Sequence, residues 1–560
     1  MTRRRGSHCI AMDNNASWTS WGAERPTLSG ATRRALTSAL GALTPQQPVD
    51  ISRATLPPPA LPAGVRAELL QALGADAVRD DPTTRAEHAG GQGYADLVRR
   101  RRGDAADAPD AVLLPASPAG VHDLLRICSA HRVAVVPWGG GTSVVGGLAA
   151  VRGHCVAVVA ADLRRLDRLR SVDRESLTAT FEPGIRTPAV ESGLAELGLT
   201  LGHVPQSWER ATLGGYVATR SAGQASGGYG RMDDLVVGLR MSTPIGELVL
   251  PPVPGSAAGP DLRRVVMGSE GTLGIITEVT LRVRHLPAVR RYEGWMARNW
   301  ADSVRIMRRI AQEPARPDVA RASDEAETAL TLTLSGTTGL KRAAIDGWLR
   351  VRGTRGGSLI IVGFEGSERD VRYRRGEVRR VLRAEGATPL GSSAGAAWER
   401  NRFGGAYLRD SLLDVGVLAE TLETATTWAK LPGLYEQVGD ALDSSLRRDG
   451  RAPLVGCHIS HLYPTGASLY FTALAAADSG REIEQWDAAK RSANRAIVAA
   501  GGTATHHHGV GVVHRDIVET DLGGPDRVGI TALRALKAAL DPAQILNPGK
   551  LLPDQSDQRS

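Results

Sequence analysis

At 560 residues the chain is too long for one compact core and calls for two lobes or more. Hydrophobic residues at 42% and charged residues at 23% are ordinary for a soluble globular protein, and no apolar run reaches membrane-spanning length. The formal net charge of +8, nearly all from arginine, is scattered without a nucleic-acid motif, so no nucleic-acid partner is expected, and a phosphorylated or membrane-surface substrate would also be drawn to such a surface.

The first segment, 1–107, is rich in Pro, Ala and Arg. It is expected to start as a mobile basic arm and to carry short helices such as 64–73. The run Arg99-Arg100-Arg101-Arg102 reads as a solvated helix end. Residues 1–17 lack the apolar core of a secretory signal. The cysteines Cys9, Cys128, Cys155 and Cys457 have no paired spacing, so a reducing cytoplasm is expected. From Ala108 the texture changes to strands at 133–136, 156–160, 178–182, 235–241 and 273–283, with helices at 120–130 and 188–197 and a loop at 251–260. That marks a mixed domain over 108–288. Segment 289–500 alternates charged helices (301–312, 340–351, 368–384) with strands such as 358–364 and 469–474, an α+β second lobe. The last part, 501–560, carries a helix at 532–540 and turns at Asp541-Pro542 and Asn547-Pro548-Gly549-Lys550.

Between the first two strands lies Pro137-Trp138-Gly139-Gly140-Gly141-Thr142-Ser143, continuing to Gly147. Glycines without Cβ let backbone N–H groups turn toward one anion and let it come close. A loop of this kind between strands suits the pyrophosphate of a dinucleotide. A nicotinamide-type fingerprint fits poorly, because these glycines do not open a helix and no acidic residue follows to hold a ribose.

Further segments follow in order: His203-Val204-Pro205-Gln206-Ser207, then Thr212 to Ser221, Asp233 to Val237 and Gly268 to Thr277. Together they resemble the FAD-binding half of vanillyl-alcohol-oxidase-type flavoproteins. The resemblance implies an α+β fold, a two-subdomain FAD-binding domain with an α+β cap domain. It assigns cofactor contacts to the glycine loop, to Pro205, Gln206, Ser207, Trp208, Glu209, Arg210 and Ala211, to Ala218, Thr219, Arg220 and Ser221, and to Glu270, Gly271, Thr272, Leu273, Gly274, Ile275 and Ile276. No histidine stands in the glycine loop, so a dissociable FAD is expected.

Within that superfamily the match narrows. Trp18-Thr19-Ser20-Trp21-Gly22, His88 to Leu97, Asp318-Val319-Ala320-Arg321, Ala406-Tyr407-Leu408-Arg409-Asp410, Gly466 to Phe471 and His506-His507-His508-Gly509-Val510-Gly511 resemble segments of alkyldihydroxyacetonephosphate synthases. That resemblance spans nearly the whole chain. It implies exchange of the acyl chain of acyl-dihydroxyacetone phosphate for a fatty alcohol, making an ether bond without net redox, with flavin N5 as covalent trap. It places Tyr470 as proton donor or acceptor, His506, His507 and His508 as the polar wall of the reacting carbon, and Arg409, Arg321 and His203 at the substrate. Forked guanidinium groups suit a phosphate dianion, and a tyrosine or histidine suits proton transfer beside a carbonyl. Crowded histidines make sense where anionic charge is present or develops.

The chain also departs from that family. Where the family has Glu-Pro-Asp-Ser, Val204-Pro205-Gln206-Ser207 stands, and Thr472 replaces an aromatic position after Tyr470. The ending at Asn547 to Leu551 is closer to flavin-dependent 2-hydroxy-acid dehydrogenases. Oxidation of a 2-hydroxy acid such as D-lactate or glycolate is therefore the alternative function, and an inactive flavin-binding scaffold a second one. The metal-binding stretch of those dehydrogenases has no counterpart in His461 to Ser468, which lacks Asp, Asn and a second histidine, so no metal is expected. His458 and His461 are three apart on a strand and should face opposite sides, which favours a structural role. The remaining expectations are peripheral contact with a membrane, aided by the basic N-terminus, and no peroxisomal tail at Gln558-Arg559-Ser560. A homodimer is left open.

Overall fold

The computed structural model describes residues 18–22, 26–334, 347–524 and 528–552. The basic segment 1–17 and most of the helix expected at 340–351 lie outside them.

The first sheet has four strands in the order Val78–Arg79, Ala111–Leu113, Ala157–Asp162, Val133–Trp138. Its last three strands run parallel and are buried nearly throughout, as expected of strands covered on both faces. The helix Pro118–Ala130 covers it, started by the Ser117 side chain and by proline in its first turn. Residues 545–546 return to this core, with Leu546 bridging Val135 in parallel. A five-stranded antiparallel sheet follows: Leu169–Asp173, Thr178–Phe181, Ile275–Arg282, Val236–Thr243, Gly246–Leu250.

Beyond residue 288 comes a seven-stranded antiparallel sheet, in the order Thr388–Gly391, Val289–Ala297, Ser358–Gly366, Val319–Ser323, Leu454–Tyr463, Gly466–Ala476, Val417–Thr427. Its two faces follow the period of two. Leu469, Phe471 and Ala473 point into a core with the helices Trp300–Gln312, Glu368–Ala384, Leu431–Leu446 and Glu482–Ala499. Tyr470, Thr472 and Leu474 on the same strand point the other way and line a cavity.

The segment before Asp107 is more closely tied down than its composition suggests. The helix Gly30–Leu40 buries Leu36 and Leu40 against Leu412, Val417 and Leu474 of the second lobe. The arginine run is not a solvated end: Arg100 and Arg101 are buried. Arg100 donates to the Gly91 carbonyl, Arg101 pairs with Asp414 at 2.6 Å, Arg102 with Glu482, and Arg99 with Asp107 at 3.0 Å. A carboxylate or carbonyl for each guanidinium makes that burial tolerable. The run thereby ties the first segment to the second lobe.

Candidate active site

The cavity on the open face of the seven-stranded sheet measures about 2310 Å³ and reaches the glycine loop at its other end. There the backbone is packed too closely for side chains. A Cβ on Gly140 would fall 2.1 Å from the Arg210 carbonyl oxygen, and one on Gly91 would fall 2.2 Å from that of Ser143. The Gln92 N–H donates to the same Ser143 oxygen at 2.6 Å, so the segment beginning at His88 backs the loop. His88 itself bonds Asp162 at 2.9 Å and packs on the Trp138 ring.

The expected cofactor residues that reach the wall are Pro137 to Ser143, Pro205, Gln206, Ser207, Ala211, Ala218, Thr219, Ser221, Glu270, Gly271, Gly274, Ile275 and Ile276. Trp208, Glu209, Arg210, Arg220, Thr272 and Leu273 stand behind it. Glu209 accepts from the Tyr407 hydroxyl, Arg210 donates to the Trp21 carbonyl, and Arg220 pairs with Asp233. Trp208 packs near Phe403, Thr272 closes its own turn onto the Ser269 carbonyl, and Leu273 is in the core. A wall with three successive residues free of side chains, Gly139 to Gly141, beside so large a cavity fits a dinucleotide such as FAD.

Tyr470 lies between His458, stacked at 4.9 Å, His507, stacked at 6.4 Å, and His508, edge-on at 5.6 Å between ring centroids. Burial pushes its phenol up to about 12, so it is protonated at neutral pH. The histidine loop is shaped by two buried carboxylates. Glu423 accepts the backbone N–H groups of His506, His507 and His508 at 2.7, 2.9 and 2.8 Å, and the Thr505 hydroxyl at 2.7 Å. Burial alone would raise its carboxyl, but the charge that the three histidines take up on protonation and the N–H groups outweigh that and hold it well below the usual range. Glu270, on the FAD-binding side, accepts the N–H groups of Val510 and Gly511 at 2.5 and 2.8 Å, and burial raises its carboxyl to about 7. The anion expected beside the crowded histidines is thus supplied by the protein. Burial meanwhile lowers all three rings, His508 to about 3, which keeps them neutral.

His507 and His508 line the cavity; His506 stands behind them, its Nε2 2.6 Å from the Tyr463 hydroxyl. His203 is also set back, bonded to Ser221 at 3.2 Å and packed on Tyr216. Burial lowers it to about 3. Arg409 reaches the wall with its terminal nitrogens on the Gln92 carbonyl and Oε1, at 2.7 and 3.3 Å, and its Nε buried without a protein partner. Arg321 lines the same cavity, paired with Glu327 at 2.6 Å and with His458 Nδ1 at 3.0 Å. Glu327, itself 3.0 Å from that nitrogen, is held at about 2 by His458 and Arg321 against the effect of burial.

The parity argument for His458 and His461 fails. The register shifts between Ile459 and His461, a β-bulge that inserts one residue. His458 therefore faces Tyr470 and His461 faces Ser468, both on the cavity side. His461, His506 and His507 bring ring nitrogens within 4.8 Å of one another. Glu423 and Glu327 carry no local motif that ties them to the site, and His458 reads as structural in the sequence. The one available sign was alternation in Leu454–Tyr463, and the bulge interrupts it.

Much of the rest of the cavity is apolar. Leu28 and Leu36 of the first segment, Leu330, Trp348, Leu359, Ile361, Leu390, Leu408, Leu412 and Leu474 line it. One space therefore joins a dinucleotide cradle, a cluster of tyrosine, histidines and arginines, and a wall suited to hydrocarbon chains.

Comparison with known proteins agrees with this layout. Residues 109–250 match the family described as FAD binding domain, and 286–551 the family described as FAD linked oxidases, C-terminal domain. Alkyldihydroxyacetonephosphate synthase of Trypanosoma brucei brucei is 33% identical over 516 residues, 90% of this chain and 83% of that protein. The synthase of Dictyostelium discoideum is 33% identical over 511 residues, with the same coverage. A solved alkyldihydroxyacetonephosphate synthase structure superposes with a TM-score of 0.81 at 29% identity, covering 95% of this chain and 99% of that one. With that identity held over most of both lengths, the chain belongs to the alkyldihydroxyacetonephosphate synthase family.

Proposed function

We propose that the chain is an FAD-dependent transferase that replaces the acyl chain of acyl-dihydroxyacetone phosphate with a fatty alcohol, forming an ether bond without net redox. The observation that carries this reading is one cavity lined together by the glycine cradle, by Tyr470, His458, His461, His507, His508, Arg321 and Arg409, and by the apolar wall. Bound FAD supplies an electron-poor ring against which the carbon bearing the acyl group reacts, and Pro137 to Ser143 with Glu270 and Gly271 would hold it. Arg409 and Arg321 present forked donors to the phosphate. The neutral phenol of Tyr470 is poised to give a proton to the departing carboxylate, and the phenolate so formed can then take one from the carbon beside the carbonyl. Burial of this cluster keeps bulk water away from a group transfer that water would divert to hydrolysis. The 2-hydroxy-acid alternative gains nothing from 461–468, which lacks the acidic residues of that chemistry.

The direct test is anaerobic mixing of the flavin-loaded protein with acyl-dihydroxyacetone phosphate alone. Free fatty acid should appear with no electron acceptor present. Flavin bleaching by a 2-hydroxy acid, with no fatty acid released, would point to the dehydrogenases. Amphiphilic substrates and the apolar wall also support peripheral membrane contact at the Trp348 side, where Trp348 and Val351 are exposed. Failure to float with anionic vesicles would exclude that contact.

A further inference from the structure

Arg231 lies on the FAD-binding side, just before the short helix Met232–Leu235, and its guanidinium faces the back of the histidine loop. It is held at four points. One terminal nitrogen donates to the carbonyls of Arg220 and His506, at 3.2 and 3.1 Å, and the other to the Tyr463 hydroxyl at 3.3 Å and to His506 Nε2 at 3.2 Å. A guanidinium is all donor and keeps its protons at every working pH. His506 Nε2 must therefore accept. Tyr463, which receives an N–H from Arg231, can donate to the same nitrogen at 2.6 Å.

A neutral imidazole carries one N–H. With Nε2 accepting, the proton of His506 is on Nδ1, 2.9 Å from His507 Nδ1. That nitrogen accepts in turn, and the proton of His507 is left on Nε2. The opposite arrangement would turn a His507 Nδ1–H toward Glu423, 3.5 Å away, but it would set an Arg231 N–H against a His506 N–H. Glu423 already takes four donors from the loop.

We infer that Arg231 is a positioning residue that acts through His506 to fix His507 as its Nε2–H tautomer, so that His507 meets the substrate as a hydrogen-bond donor and not as a base. The tautomer follows from the hydrogen-bond geometry of two rings that burial keeps neutral. The target of the donor rests on the transferase reading: a substrate oxygen that gains negative charge when a proton leaves the neighbouring carbon, which leaves Tyr470 as the group that moves protons.

The test is nitrogen-15 NMR of the holoenzyme labelled at histidine, with His507→Gln identifying the His507 signals. At neutral pH, Nε2 of His507 should be the protonated nitrogen. Arg231→Gln, whose amide oxygen can accept from His506, should move the proton to Nδ1 or mix the two forms, and should lower kcat about tenfold with KM within about twofold. Arg231→Lys, still a donor-only cation, should preserve the native tautomer. A wild-type His507 protonated on Nδ1, or a tautomer unmoved by Arg231→Gln, would overturn the inference. So would stoichiometric metal in the holoenzyme that is lost in His461→Ala, because both Nδ1 lone pairs would then be ligands. If Arg231→Gln does not fold, the wild-type spectrum still decides. A protein with the expected tautomer but no ether-forming activity would overturn the transferase reading and leave the tautomer assignment standing.

Discussion

Glu423 stands directly across the sheet from Tyr470, so the carboxylate that gathers the histidine loop and the phenol that the histidines surround rise from one cross-strand pair. Strand register thereby sets the distance between tyrosine and histidines. Glu423→Gln keeps the shape but removes the charge and turns an NH2 toward N–H donors. The expected loss is about 3 kcal/mol of stability, with a fall in kcat and with FAD retained, because Glu423 is not on the cradle. Chemical denaturation and flavin absorbance of the purified variant check both halves.

Tyr470→Phe preserves the stacking on His458 and His507 and deletes only the hydroxyl. FAD content and melting temperature should be near native, while turnover falls by about 10²-fold or more. A fully active variant would remove the tyrosine from the chemistry.

Gly91→Ala puts a methyl group against the Ser143 carbonyl, a backbone atom that cannot swing away. The glycine loop must shift, and FAD affinity should weaken at least about tenfold, a cost of about 1.4 kcal/mol. Flavin released on dialysis reads this directly. Native retention would mean that the loop is not the cradle.

Stability should fall as pH drops below about 6.5, the ordinary histidine value. His203 and His508 are held down to about 3 and His514 to about 4, all by burial first. Between those values and 6.5 the unfolded chain binds protons that the native state refuses, so each group costs about 1.4 kcal/mol per pH unit of acidification. Glu270 works the other way. With its carboxyl raised to about 7, the folded state binds the extra proton between 4.5 and 7, and this one group favours folding as pH falls through that window. Asp324, raised by burial to about 6, acts in the same direction as Glu270 between 3.8 and 6, and three histidines outweigh these two carboxyls. Denaturant midpoints measured from pH 7.5 to 4.5 should decline, and a flat profile would contradict the buried neutral rings.

What could be read in the sequence was what neighbouring residues decide. The glycine loop, the triple histidine and the tyrosine strand are contiguous, and each structural constraint acts within a few residues. The helix at 368–384 matches its structural bounds because its first turn is capped by Ser367 and its charges alternate with a buried face. What escaped depends on pairing at a distance. Glu423 meets the histidine loop across more than 80 residues, so nothing local marks it, and Glu270, placed by its motif at the cofactor, ties to that loop across more than 230 residues that no motif spans. The bulge at 459–461 reverses which side His461 faces, and alternation cannot anticipate an inserted residue. Arg100 and Arg101 read as solvated because their partners, Gly91 and Asp414, are visible only in the fold.

The measurement that bears most directly on the function is incubation of the flavin-loaded protein with acyl-dihydroxyacetone phosphate and labelled hexadecanol, without oxygen or any electron acceptor. Label should appear in alkyl-dihydroxyacetone phosphate, with one fatty acid released per ether formed and the flavin oxidised at the end. An absence of labelled product from a protein that retains FAD, together with flavin reduction by a 2-hydroxy acid, would contradict the transferase and make the chain an oxidoreductase on the same fold.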